Sequence, residues 1–69
     1  MEWHEVSSSA IARVGYDSQS MTLAVEWRSA GLYYYYDVAE GTFLDLRNAA
    51  SVGQFVATVI KPAHRYSKA

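Results

Sequence analysis

Four consecutive tyrosines, Tyr33 to Tyr36, have the plainest chemical use of any residues in this chain. On a strand such a run alternates, so two rings face a core and two face out. Tyr33 and Tyr35 are expected to face inward, Tyr34 and Tyr36 outward. Outward rings beside Arg13 and Arg28 could stack nucleic-acid bases, each stack being worth about 1–3 kcal/mol. Gly15 and Ala24 alongside would leave a shallow trough for them. Phosphate attraction would come from Arg13, Arg28, Lys61, Arg65 and Lys68. The same patch suits two other roles. Leu32, Tyr34 and Tyr36 could be covered by a second copy of the chain, or the rings could simply stand at the surface.

Other reactive side chains lack the company that chemistry needs. His4 and His64 lie far apart in sequence with no cysteine and no His-x-x-x-His spacing, whereas a metal site needs three or four converging ligands. Ser7, Ser8 and Ser9 have no evident base nearby, and caps or turns are their expected use. Asp17 is expected to fix its own turn by an Asx hydrogen bond. There is no phosphate loop, dinucleotide fingerprint or paired acid and base. The expectation is a protein that is not an enzyme, with no catalytic residues, no metal and no cofactor.

Charge is unevenly spread. Residues 1–45 hold all seven acids with only Arg13 and Arg28, a net −5; residues 46–69 hold Arg47, Lys61, Arg65 and Lys68 and no acid, a net +4. Such asymmetry can mark a face for an anionic partner. It also arises when Arg47 and Lys61 sit at helix C-termini and complement the dipole.

These residues must be positioned by one small domain spanning 1–69. Zero cysteines remove disulfide scaffolds, zinc fingers and iron–sulfur sites. The chain is 51% hydrophobic with 14% aromatic residues, so dense aromatic packing and self-association remain as stabilising devices. No apolar run approaches the roughly 20 residues of a membrane helix. The acidic start Met1-Glu2-Trp3-His4-Glu5 lacks a secretory layout, and a cytoplasmic location is expected.

Hydrophobic patterning predicts three strands and then two helices. Arg13-Val14-Gly15-Tyr16 leads into the turn cluster Asp17-Ser18-Gln19-Ser20. Met21 to Arg28 alternates strictly, the clearest strand signal present. Ser29-Ala30-Gly31 closes a hairpin with Gly31 left-handed, and Leu32 to Val38 forms the third strand. These turns pair Tyr16 with Met21, Val14 with Leu23, Trp27 with Tyr33 and Val25 with Tyr35. One face, with Val14, Tyr16, Met21, Leu23, Val25 and Trp27, is then the core. Phe43, Leu46 and Ala50 recur at helical spacing. Ser51 with Gln54 reads as a capping box opening a second helix that Pro62 ends. The expected class is α+β, a three-stranded antiparallel meander followed by two short helices (near 40–50 and 51–61) packed on one face, β-β-β-α-α. Gly53 is expected to let the second helix approach Tyr16 or Tyr35. The tail from Ala63 is polar.

Val6-x-Ser8-Ser9-x-Ile11, Val14-Gly15-Tyr16-Asp17, Leu23-x-Val25, Gly31, Tyr33-x-Tyr35, Val38 and Ala50-Ser51-x-Gly53 with Phe55 and Ile60 together resemble the KTSC domain. The likeness runs from residue 6 to about 66. Ala39 stands where that pattern usually has proline after Val38, and Ala57 where asparagine is expected. The resemblance implies a small domain found at the C-terminus of some lysyl-tRNA synthetases and alone in bacterial and phage proteins. The synthetase context suggests association with RNA, and the resemblance implies no catalytic residues.

The expected function is a small non-enzymatic binding module. Its ligand would be RNA, held weakly and in a salt-sensitive way because seven acids oppose few positive charges. The alternative is a protein-interaction or homodimerisation module, such as a phage or mobile-element protein that binds a host factor.

Overall fold

The computed structural model describes residues 1–69. Five strands form one antiparallel meander: β1 (Glu2–Glu5), β2 (Ile11–Asp17), β3 (Thr22–Trp27), β4 (Gly31–Tyr35) and β5 (Tyr66–Lys68), in spatial order β1-β2-β3-β4-β5. Between β4 and β5 come α1 (Glu40–Arg47) and α2 (Val52–Phe55), the latter running straight into a π-helical segment, Val56–Ile60. The class is α+β as expected, but with five strands where patterning predicts three. Both additions are short and polar. β1 is Glu-Trp-His-Glu with charged ends, and β5 is Tyr-Ser-Lys. Neither holds enough alternation to announce a strand.

Pairing in the three central strands is displaced by two residues from the expected register. Tyr16 lies opposite Leu23 and Val14 opposite Val25, while Val25 meets Tyr33 and Leu23 meets Tyr35. The first loop is therefore Ser18 to Met21, which takes Met21 out of the core. It is left-handed (φ 55°) and 40% exposed. Asp17 holds this loop as anticipated, its carboxylate accepting from the Gln19 amide at 3.1 Å and the Ser20 hydroxyl at 2.9 Å. Those bonds hold its carboxyl below the usual carboxylate range, the Ser20 hydroxyl contributing most. Gly31 is left-handed (φ 90°), as the hairpin demands.

Ile11 and Val14 are both fully buried although three positions apart, which strict alternation forbids. A bulge between Ile11 and Arg13 absorbs the additional residue. Just before it, the Ser8 hydroxyl accepts from the Ala10 and Ile11 amides, both at 3.1 Å, and turns the chain from β1 into β2.

Both helices cover the same face of the sheet. Val14, Tyr16, Leu23, Val25 and Tyr35 meet Val38, Phe43, Leu46, Val52, Val56 and Ile60 in one buried cluster. Ser51 accepts from the Gln54 amide at 3.3 Å, which starts α2 where the capping box places it. In an α turn residue i+4 overshoots its predecessor by about 40°. In a π turn, closed by bonds such as Lys61 N–H to Val56 C=O at 2.8 Å, it falls short instead. The two drifts offset one another, so Val52, Val56 and Ile60 stay in line on the core. Gly53 faces Ala10, where an added Cβ would stand 3.3 Å from the alanine methyl. The close approach is thus to the β1–β2 connection, not to Tyr16 or Tyr35.

Tyr16 links the layers. Its ring stacks on Phe43 with centroids 4.7 Å apart, and its hydroxyl donates to the Val38 carbonyl at 2.6 Å. Burial above all, then the negative charges of Glu40 and Asp17, pushes this phenol up from its ordinary value. Tyr16→Phe leaves the Val38 carbonyl unpartnered and should cost about 1–2 kcal/mol in urea unfolding. Because the folded phenol holds its proton longer than the unfolded one, that stability is complete below about pH 10 and falls as pH rises further. The phenylalanine variant should therefore lose part of the wild type's alkaline decline. Identical slopes in the two proteins would contradict this.

Candidate ligand-binding surfaces at the C-terminal sheet edge

The outer face of the sheet, away from the helices, carries Trp3, Arg13, Gly15, Ala24, Glu26, Tyr34 and Ser67, as the registers dictate. The trough expected over Gly15 and Ala24 is occupied. Trp3, from the unexpected strand β1, lies on Gly15, where a Cβ would stand 2.9 Å from its ring. Arg13 is engaged too: its Nε is 2.8 Å from Glu26 Oε1 and its guanidinium lies 4.1 Å above the Trp3 ring. Arg28 reaches back to the β1–β2 connection, donating from Nε to the Ser8 carbonyl at 3.2 Å. These two arginines are therefore not beside the outer tyrosines.

Tyr34 and Tyr36 do share the outer face, next to β5. The Tyr36 hydroxyl bonds that of Ser67, and the Arg65 guanidinium lies 5.9 Å from its ring centre. Arg65 also stands 3.6 Å from Asp37, with both side chains about four-fifths exposed, a pairing worth little in water. His64 contacts the Tyr36 carbonyl through Nδ1 at 2.9 Å, whereas His4 lies far off beside Glu2 and against Phe43. The two histidines are not brought together.

Lys61 and Lys68 stand on the other side of the same edge. Here Trp27, Ala30, Tyr33, Tyr35, Ala57, Lys61 and Tyr66 line an open cleft of about 280 Å³ between β3, β4, β5 and the π segment. Tyr66 leans over it, its ring 5.8 Å from that of Tyr33 and 5.9 Å from that of Tyr35. Lys68 Nζ lies 5.8 Å from the Tyr33 ring centre. Burial pushes the Tyr35 phenol up from its ordinary value, partly offset by the Trp27 side chain beside it. The cleft was hidden from sequence reasoning because Trp27 and Tyr33 read as core residues and Tyr66 as part of a polar tail. An aromatic flanked by Arg65 and Lys68 was the available signal.

The candidate residues thus divide three ways: Tyr34, Tyr36 and Arg65 outside, Lys61 and Lys68 at the cleft, Arg13 and Arg28 held in structural contacts. No helix is long and apolar enough to cross a membrane.

Comparison with known proteins places this architecture. The chain is 42% identical over 60 residues to a protein of Tsukamurella paurometabola, covering 87% of this chain and 90% of the relative. It is 36% identical over 59 residues to one of Stutzerimonas stutzeri, covering 86% and 83%. The crystal structure of a KTSC domain protein from Yersinia pestis superposes with a TM-score of 0.94 at 34% identity, across 99% of this chain and 96% of that one. The KTSC domain profile matches residues 7–66, which include the bulged β2, the Gly31 hairpin and the Ser51 cap. This chain belongs to the KTSC domain family.

Proposed function

We propose that this domain is a non-catalytic module that binds single-stranded RNA along the β4–β5 edge. The observation that carries the reading is the pairing of cation with aromatic ring on both sides of that edge: Arg65 with Tyr36 outside, Lys68 with Tyr33 within. Bases stack on such rings while neighbouring cations follow the phosphates. The last third of the chain supplies those cations with no acid among them. The acids elsewhere keep affinity weak.

If Lys61, Arg65 and Lys68 each neutralise one phosphate, affinity should fall about 20-fold between about 50 and 200 mM salt. Titration of labelled single-stranded RNA measures this. Replacing Tyr34 and Tyr36 with alanine should abolish binding while far-ultraviolet circular dichroism stays unchanged, since both rings face outward. A self-association module behaves otherwise. Absence of RNA binding at low salt, with a mass change in the double variant by light scattering, would retire the RNA reading in its favour.

A further inference from the structure

The cleft on the helix side does not need an RNA strand to be a site. Trp27, Tyr33, Tyr35 and Tyr66 supply aromatic walls, Ala30 and Ala57 leave room between them, and Lys61 places an ammonium at the rim. Aromatic walls alone would equally suit a quaternary or methylated ammonium. Charge decides against that. Lys61 lines the cleft, Lys68 stands over Tyr33, and none of the lining residues is acidic. A cation would meet two ammonium groups and no counter-charge. A flat ring bearing an anion meets stacking surfaces and two positive charges. At about 280 Å³ the space lies just below the usual range for small-molecule sites, so it takes one ring system rather than several.

We propose that this cleft is a mononucleotide site. It takes a nucleobase between Trp27, Tyr33 and Tyr66, with the phosphate at Lys61 and Lys68. The same chemistry is offered by a free nucleoside monophosphate and by the phosphorylated end of an RNA strand. The site lies on the opposite face from Tyr34 and Tyr36, although it shares Tyr33, Lys61 and Lys68 with the RNA reading above; a free mononucleotide needs neither outer ring, so the two can be tested apart.

The two tryptophans make the test internal to one sample. Trp27 lines the cleft, and Trp3 lies on the outer face against Arg13. In nitrogen–proton correlation spectra of the full chain, adenosine 5′-monophosphate should shift the Trp27 indole signal saturably and leave that of Trp3 in place. Lys61→Ala should weaken this about tenfold, the scale of one charge-assisted contact, and should leave the weaker response to adenosine unchanged. Tyr66→Ala, at an exposed ring, should weaken both ligands. A 5′-phosphorylated oligonucleotide that shifts Trp27 at much lower concentration than the mononucleotide identifies an RNA end as the source; equal concentrations identify the free nucleotide. An unmoved Trp27 signal at millimolar nucleotide overturns the proposal. So does a parallel, non-saturating drift of both indoles, or inorganic phosphate producing the same saturable shift without a ring. RNA binding that persists in the first case would confine the RNA reading to the face of Tyr34, Tyr36 and Arg65.

Discussion

Leu23→Ala should remove about a third or more of the domain's stability. Leu23 is fully buried in the central strand β3, with Tyr16 opposite it on one side and Tyr35 on the other. Truncating such a leucine costs about 3–5 kcal/mol, from lost transfer energy and the cavity left behind. A domain of this length has roughly 3–10 kcal/mol in total. Neighbours cannot collapse into the gap easily, because rigid tyrosine rings hold both flanks. Urea unfolding followed by circular dichroism gives the measurement, with Leu44→Ala as companion. Leu44 is 47% exposed on α1, and its loss should move the midpoint by no more than about 0.5 kcal/mol equivalent. Equal midpoints for the two variants would show that β3 is not the centre of the core.

The place of Leu23 in the core can be read from the amino-acid sequence alone, because strand faces survive some errors of pairing and not others. The expected turns put Val14 opposite Leu23 and Val25 opposite Tyr35, whereas the true partners lie two residues away. A slip of one residue exchanges the faces of a strand; a slip of two does not. Alternation in residues 21–28 therefore assigns Leu23 and Val25 to the core despite the wrong register. Only the strand end suffers, where Met21 passes into the turn. Capping chemistry is equally local, and Ser51 with Gln54 sets the start of α2. Pairing between distant segments too short to carry a period is not legible in this way. β1 and β5 exist because β2 and β4 offer them free edges, not through any propensity of their own. The candidate site inherits that gap. With β1 unseen, the Gly15–Ala24 trough looks vacant; with β5 unseen, Tyr66 has no place, and the cleft cannot be assembled from Trp27 and Tyr33 alone.

Gly15→Ala should destabilise the domain by about 1–3 kcal/mol through overpacking, although its backbone has no positive φ that demands glycine. The new methyl would lie 2.8 Å from Met1 Sδ and 2.9 Å from the Trp3 ring. Methionine can swing away, but the indole is held between the sheet and the Arg13 guanidinium. Lifting it loosens β1 and the arginine together. The collision account makes a sharper demand on a double-mutant cycle. In a Trp3→Ala background the obstacle is gone, and the same Gly15→Ala change should become neutral or gain about 0.5–1 kcal/mol, the ordinary benefit of alanine over glycine in a strand. The two substitutions would then be strongly non-additive. Additive costs in the four urea curves would show that Gly15 is needed for some reason other than the indole above it.

The winding of the second helix bears on how chains of this kind can differ in length. A π turn is an α-helix that has accepted one residue more than it needs. The Thr58 hydroxyl, donating to the Gln54 carbonyl at 2.8 Å, ties the turn where the winding changes. A chain lacking one residue between Val56 and Ile60 could wind as plain α-helix and still deliver its last turn to Pro62 in nearly the same orientation. Length variation there would be absorbed within the helix, without a loop to take it up. Alignments across this stretch would then need a gap inside a helix, where gaps are ordinarily penalised. The cost of such a deletion would fall on Ala57 and Lys61, the residues this segment contributes to the cleft, so the cleft could change shape between relatives whose sheets superpose.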